Sequence, residues 1–297
     1  MAENPYKRCT LCPISCGTDR TVGNTGRCGS GDKMKIARIA PHMWEEPCIS
    51  GQKGSGTVFF TGCSLHCVYC QNSKISSRNT SLGTEYTEKQ LAEAMLCLQE
   101  RGVHNINLVT ASHFLPSVIK TLKIAKKQGL KIPVVYNCSG YETPQAVSSL
   151  SGLIDIFMPD IKYFSSRLSL LYSGVQDYPE TAFNAIKLMR SISGSPVFEN
   201  GLMLSGTLVR HLILPGSDAD SRKIITRLFS EYGKDDIALS LMSQYTPMTN
   251  VKFPELTERL PKNAYLRTVA HAQKLGFSYL YTQNGDSAKE SFIPEFS

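Results

Sequence analysis

Seven of the ten cysteines in this 297-residue chain fall in two tight groups. Cys63, Cys67 and Cys70 share one short stretch, and Cys9, Cys12, Cys16 and Cys28 share another, while Cys48, Cys97 and Cys138 stand alone. In a chain long enough to bury its own core, clustered cysteines bind metal more often than they pair as disulfides. Three thiolates in one loop can hold a face of an iron–sulfur cube, but they leave one iron without a protein ligand. Either a fourth ligand comes from elsewhere in the chain, or that iron is open to a small molecule. A zinc site completed by a remote ligand is the competing reading. In the first group, four thiolates with Gly17, Gly23, Gly26 and Gly29 to allow tight turns suit a closed tetrahedral zinc site and an iron–sulfur cluster equally.

Those groups need elements to position them. Residues 1–50 are rich in Cys, Gly, Pro and charge, with little periodicity, and read as a loop-rich cap held by something other than a core. From residue 55 onward, short β-rich apolar runs recur at Thr57–Phe60, Ile106–Thr110, Ile132–Tyr136, Ile154–Met158, Thr207–Leu214 and Ile237–Met242, with a weaker seventh at Phe277–Thr282. Helical spacing fills most of the intervals. Over Thr87–Glu100, Leu91, Ala94, Met95 and Leu98 make one stripe, and Thr87 with Gln90 makes a capping box. Pro179–Arg190 opens on a first-turn proline and carries Phe183, Ile186 and Leu188. Ser221–Tyr232 and Pro261–Leu275 are similar and meet Gly233 and Gly276, residues suited to end a helix. Strand, helix, strand, repeated about six times, predicts an α/β fold of parallel strands with right-handed crossovers, either a barrel or an open doubly wound sheet. Phe59-Phe60-Thr61-Gly62 runs straight into Cys63. The triad therefore sits after the first of these strands, at the carboxyl end where such sheets place their ligands.

The bulk properties narrow the field. The length suggests one large domain or two modest ones, at about 150 residues per domain. Hydrophobic residues at 41% and charged residues at 19%, with 22 Gly and 15 Pro, exclude collagen, coiled coil and wholesale disorder. No run of about 18 apolar residues offers a membrane span. Met1–Lys7 lacks the apolar stretch of a secretion signal, so a reducing, cytoplasmic setting is expected. The net charge of +7 permits an acidic partner or nucleic acid, but the densest basic run, Lys120–Lys131, reads as a solvated helix face. A zinc-binding nucleic-acid module is the alternative class of function. It is opposed by the lack of an aromatic-rich basic stripe or reader motif.

The spacing of Cys63, Cys67 and Cys70, three residues and then two, with Tyr69 before the last cysteine, resembles the signature of radical S-adenosylmethionine enzymes. Over residues 55–250 the chain is similar to the pyruvate formate-lyase activating enzymes, and most of all to a related PflX-type branch. The resemblance implies a partial (β/α)6 barrel of parallel strands at 53–297 and a Cys-rich, loop-dominated metal-binding extension at 1–52. It implies a 4Fe–4S cluster on Cys63, Cys67 and Cys70, with S-adenosylmethionine chelating the open iron. An electron from the cluster then cleaves the cofactor to methionine and a 5′-deoxyadenosyl radical, which abstracts hydrogen from a substrate. In activating enzymes that hydrogen comes from a glycine of a partner glycyl-radical enzyme; another peptide or a small molecule is the alternative target. A flavodoxin or ferredoxin is the implied electron donor.

The resemblance also places cofactor contacts at later strand ends. Tyr69 would lie near the adenine, or simply pack. Thr110-Ala111-Ser112-His113 stands where the superfamily usually has Gly-Gly-Glu, a departure that puts the activating role more in doubt than the cofactor; Ser112 and His113 are the polar candidates, with His113 as a core histidine the competing reading. Asn137-Cys138-Ser139-Gly140 resembles the stretch that meets ribose and methionine, with Asn137 and Ser139 as contacts. Met158-Pro159-Asp160-Ile161-Lys162 supplies Asp160 and Lys162, which suit a zwitterion but could also pair with each other. Asn137, Cys138, Met158 and Asp160 would surround a monovalent cation. Arg210, on a strand ending in Pro215-Gly216, would point inward to a carboxylate. Gln244 and Tyr245 read as mouth residues, and Trp44-Glu45-Glu46 as a substrate contact or plain packing. The first four cysteines, zinc or a second iron–sulfur cluster, resemble the N-terminal segment of the PflX-type branch.

Overall fold

The computed structural model describes residues 4–247, 252–283 and 296. Its strands are β1 (Met34–His42), β2 (Ser55–Phe60), β3 (Thr84–Tyr86), β4 (Ile106–Val109), β5 (Val134–Cys138), β6 (Ile156–Pro159), β7 (Val197–Glu199), β8 (Leu202–Leu212), β9 (Ala238–Met242) and β10 (Leu280–Thr282). They lie in the order β10-β9-β8-β6-β5-β4-β2-β1-β3, with β7 beside β8. From β2 to β10 along that path every pairing is parallel. All seven expected strands are there, in an open sheet that forms a partial barrel. The expected barrel domain, 53–297, includes residues 248–251, 284–295 and 297, which lie outside the described residues.

The crossover helices behave as their sequences require. Helix Glu88–Glu100 starts at the capping box: Gln90 N–H donates to Thr87 Oγ1 at 3.3 Å, and Thr87 N–H donates to Gln90 Oε1 at 2.9 Å. This helix and Leu115–Lys127 bury Leu91, Met95, Val118 and Leu122 against β2, β4 and β5. Helices Tyr178–Ser193, Asp218–Tyr232 and Lys262–Leu275 cover the other half with Phe183, Ile224, Leu228 and Val269. Lys120, Lys123 and Lys127 face solvent, as a helix surface should. The interior of the partial barrel is filled by Cys48, Ile49, Val135, Ile156, Met158, Met203, Leu208 and Ala238.

The N-terminal segment is more ordered than its composition suggests. β1 runs antiparallel to β2 over Ile36↔Phe60 through His42↔Ser55, and β3 continues outward from β1. The short helix Pro47–Ser50 then enters the barrel, where Ile49 is fully buried and its carbonyl takes the side-chain amide of Asn105 at 2.7 Å. Sheet and core thus cross the expected division between residues 52 and 53. Residues 4–33 carry no strand or helix and match the loop-rich cap.

Candidate active site

The carboxyl ends of β2, β4, β5, β6, β8 and β9 open on one cavity of about 690 Å³, within the range of ordinary cofactor sites. Cys63, Cys67 and Cys70 line one wall, and Asn137, Ser139, Asp160, Lys162 and Arg210 line another. The sequence signal for both groups is local to each strand end; the parallel sheet brings them together.

The triad loop is held by the chain's own contacts. Arg27 braces it from the N-terminal segment, with Nε donating to the Ser64 carbonyl at 3.0 Å. His66, held at a left-handed φ of 51°, contacts the Arg27 carbonyl through Nε2 at 2.7 Å. Ser173 donates to the Cys67 sulfur at 3.0 Å, and Ser76 Oγ lies 3.3 Å from the Cys70 sulfur. Burial, with Cys67 and Cys70 adding to it, pushes the Cys63 thiol up to about 12. Burial and Cys67 likewise raise Cys70. Cys63 and Cys70, desolvated thiols whose ionisation is disfavoured, fit a cationic iron centre, and hydroxyl contacts to the sulfurs are a usual tuning device of such clusters. Among the described residues no three His, Cys, Asp or Glu are already gathered as ligands of a single ion. A cube of four irons takes each thiolate on a different iron.

The opposite wall is a closed charge network. Lys162 Nζ meets Asp160 Oδ2 at 2.6 Å, and Arg210 forks onto Asp160 Oδ1 at 2.9 and 3.0 Å. Arg210 Nη2 also donates to Asn137 Oδ1 at 2.7 Å, and Nη1 to Glu45 Oε2 at 3.2 Å. Burial opposes ionisation of Asp160, but Arg210 and Lys162 outweigh it and hold the carboxyl below its usual range. Burial likewise opposes the Lys162 charge, and Asp160 more than restores it. The pairing expected between Asp160 and Lys162 is present, yet both side chains still face the cavity. The oxygens of Asn137 and Asp160 expected around a monovalent cation are taken by the chain's own cations.

Several sequence expectations need correction. Ser112 and His113 do not line the cavity. Thr110 does so instead, at a left-handed φ of 59° that is costly for a β-branched residue. The chain then turns into a 3-10 helix that points Ser112 and His113 behind the sheet. Ser112 donates to Glu142 at 2.5 Å, and His113 Nε2 contacts the Thr61 carbonyl at 2.7 Å. Burial, reinforced by Arg20, lowers His113 to about 3, so it is a neutral core histidine. Tyr69 borders the cavity but is buried in an edge-to-face cluster with Tyr163, Tyr172 and Tyr245, each centroid 6.4 Å away. Tyr245 is not at the mouth; its hydroxyl donates to the Leu256 carbonyl at 2.6 Å. Gln244 is at the mouth, where its carbonyl takes the Gln71 amide at 2.6 Å.

Other site residues escaped sequence reasoning. Glu45, which with Trp44 and Glu46 reads as a substrate contact or plain packing, closes the Arg210 network with its carboxylate. Glu46 is buried in the same wall, which raises its carboxyl, and Trp44 stands 59% exposed at the rim. Tyr178 donates to the carbonyls of Ser139 at 2.7 Å and Asp160 at 3.0 Å and accepts from Lys162 N–H at 3.0 Å, tying the ends of β5 and β6. Its only sequence signal is its place beside the helix-opening Pro179. Among the other cysteines, Cys9 and Cys28 are buried, Cys12 is half-buried and Cys16 is exposed.

Comparison with known proteins agrees with this geometry. The chain is 27% identical over 293 residues to the uncharacterised protein MJ0674 of Methanocaldococcus jannaschii, covering 95% of this chain and 79% of that one. It is similar in fold to SuiB of Streptococcus suis in its S-adenosylmethionine-bound structure, with a TM-score of 0.52 at 11% identity and 79% of this chain covered. The chain spans about half of SuiB's length, 51%. A domain of a pyruvate-formate lyase-activating enzyme from Bacteroides vulgatus aligns with a TM-score of 0.41 at 11% identity, covering 56% of this chain and 89% of that domain. Among the described residues no helix is long and apolar enough to cross a membrane. A family model for the Radical SAM superfamily matches residues 57–229, more than half of the chain, so the chain belongs to that superfamily of enzymes, whose chemistry uses a 4Fe–4S cluster and S-adenosylmethionine.

Proposed function

We propose that this enzyme removes a hydrogen atom from a protein substrate, and that a glycine of a partner glycyl-radical enzyme is its target. Cys63, Cys67 and Cys70 hold the cluster. When bound, it supplies the electron that cleaves S-adenosylmethionine to methionine and a 5′-deoxyadenosyl radical. The observation that carries this reading is the meeting of the thiol triad and the Asp160–Lys162–Arg210 network in one cavity of cofactor size.

The chain's own residues then have distinct tasks. Lys162 and Arg210 hold positive charge toward a carboxylate, Ser139 offers its hydroxyl to an amino group or a ribose, and Asp160 and Asn137 keep the two cations in place. Thr110 presents backbone where glycines usually serve, and its left-handed conformation keeps the turn that a glycine would make. Ser112, His113 and Tyr69 act from behind by holding that turn and the triad loop in place. Glu45 keeps Arg210 oriented when no cofactor is bound. The cavity rim, with Trp44 59% and Met43 44% exposed, gives a protein loop an apolar landing. A flavodoxin or ferredoxin supplies the electron in a cytoplasmic setting.

The test is anaerobic reconstitution with iron and sulfide, reduction, and measurement of methionine and 5′-deoxyadenosine. Cleavage should disappear in Cys63→Ala, Cys67→Ala and Cys70→Ala; persistence in all three sinks the assignment. Candidate glycyl-radical partners are then scored for a glycyl radical by electron paramagnetic resonance. Deuterium transfer into 5′-deoxyadenosine from another peptide or a small molecule, with no glycyl signal, would move the target to that class.

A further inference from the structure

Arg20 is fully buried, yet among the described residues it forms no ion pair with a carboxylate. Its Nε donates to the Gly31 carbonyl at 3.0 Å, its Nη2 donates to the same carbonyl, and its Nη1 donates to the His113 carbonyl at 2.7 Å. The rings of Tyr6 and Phe114 flank it at 4.8 and 5.6 Å. These contacts engage three of its five N–H groups and leave its charge without a counter-ion, which an interior does not tolerate cheaply. The remaining neighbour is sulfur: Nη1 donates to Cys9 Sγ at 3.6 Å, and the guanidinium acts electrostatically on Cys28.

The other thiols of the first group lie in the same neighbourhood. Cys16 and Cys9 contact each other through their side chains, and Cys12 feels both Cys9 and Cys28. A methyl group at Gly26 would lie 3.2 Å from Cys16 Sγ, 3.7 Å from Cys28 Sγ and 4.0 Å from Arg20 Cδ. Gly26 therefore keeps open the space where two sulfurs and the guanidinium meet. Backbone turns fold the segment onto itself, with Cys9 N–H on the Thr18 carbonyl at 3.1 Å and Gly17 N–H on the Cys9 carbonyl at 3.0 Å. The four thiols share this segment, though they are not gathered as ligands of a single ion.

We infer that Cys9, Cys12, Cys16 and Cys28 bind a second metal centre as four thiolates, and that Arg20 is its buried counter-charge. Four thiolates around zinc, or around an iron–sulfur cube, carry net negative charge and supply the anion that the buried guanidinium lacks. Arg20 positions the centre and does not ligate it. The centre is coupled to the radical site, because the Cys28 carbonyl accepts the Cys63 N–H at 3.2 Å.

The measurement uses the full chain with Cys63, Cys67 and Cys70 all changed to Ala, so its outcome is independent of the radical chemistry. After anaerobic purification, zinc, iron and acid-labile sulfide are counted per chain. About one zinc, or iron with matching sulfide, is expected, with sulfur-only coordination by X-ray absorption. Either metal supports the site and identifies its occupant. No bound metal, with the four thiols reacting freely with a thiol reagent in the folded chain, overturns it. In the same background Arg20→Gln should release metal to a chelator at least about tenfold faster, and Arg20→Lys, which keeps the charge, should restore much of the retention. Equal retention by folded Arg20→Gln, checked by circular dichroism, overturns the counter-charge role.

Discussion

Replacing Glu142 by glutamine should remove a pH-dependent instability from beneath the cofactor cavity. Glu142 is 1% exposed and accepts from Ser112 at 2.5 Å and from Tyr136 at 3.3 Å. Burial raises its carboxyl from 4.5 to about 7, with the contacts from Ser112, Tyr136 and Cys138 only partly opposing the rise. In the unfolded chain the proton leaves near 4.5, while in the native chain it stays until about 7. Between those values the unfolded state binds fewer protons, so native stability falls as pH rises. At 1.36 kcal/mol per pH unit, the loss across the window is about 3 kcal/mol. Glu142→Gln keeps a neutral side chain that can accept from Ser112 and donate to Tyr136. It should match the parent near pH 5 and exceed it by about 3 kcal/mol at pH 8. Urea midpoints of both proteins across that range, at unchanged slope, give the difference directly. His113, whose depressed value makes stability fall as pH drops below its unfolded range, is present in both chains. A stability difference between the two proteins that stays flat from pH 5 to pH 8 would refute the reasoning.

Gly140 has a φ of 75°, and an added Cβ would lie 2.3 Å from the Asp160 carbonyl oxygen. Gly140→Ala should therefore push the ends of β5 and β6 apart, costing more than about 2 kcal/mol in thermal or urea unfolding and weakening cofactor cleavage with it. Thr110→Gly removes a left-handed β-branched residue, and strain relief should outweigh the added chain entropy by about 1 kcal/mol. A lower melting temperature for Thr110→Gly would show that the threonine side chain contributes more than its backbone costs. Arg210→Lys keeps the charge but loses the fork shared by Asp160, Asn137 and Glu45, so kcat/KM for cofactor cleavage should fall about 10- to 100-fold while the fold persists. An unchanged kcat/KM would show that Arg210 serves the fold alone.

The seven strands and four helices expected from residue 55 onward were legible because each carries its own periodicity and stop signals, whereas β3 and β7, three residues each, are too short to carry any. β1 was not, although Met34 and Ile36 alternate with Lys35, because the Cys, Gly and Pro around it mask a short run whose partner is set by pairing with β2. The triad was legible since its cysteines are neighbours in sequence. Asp160, Lys162 and Arg210 were legible as polar residues at strand ends, but their union with Glu45 was not: Arg210 and Glu45 are 165 positions apart, and no local pattern encodes such a pair. Ser112 and His113 were candidates by their polarity at a strand end, which does not say where the chain turns. A threonine at left-handed φ keeps the corner, and the 3-10 helix beyond it rotates the next two side chains away.

The contacts between the N-terminal segment and the triad explain why a stretch with so little core of its own can be ordered. A loop carrying three cysteines must be held near its cluster-bound shape before iron arrives, or binding has to supply its ordering entropy as well. Arg27 fixes the Ser64 carbonyl and also reaches the carbonyls of Ser173 and Gly174, while Cys28 fixes the Cys63 N–H. Gly62 completes the seam: at a φ of 83° it leaves room for the Cys28 carbonyl, 2.6 Å from where a Cβ would stand. The same contacts act in both directions. They lend the barrel's rigidity to residues 4–33, and they make the position of Cys63 depend on the position of Cys28. A displacement of Cys28 would therefore be passed to the triad loop through the Cys63 N–H and through the contacts of Arg27 with Ser64 and His66, with no moving domain required.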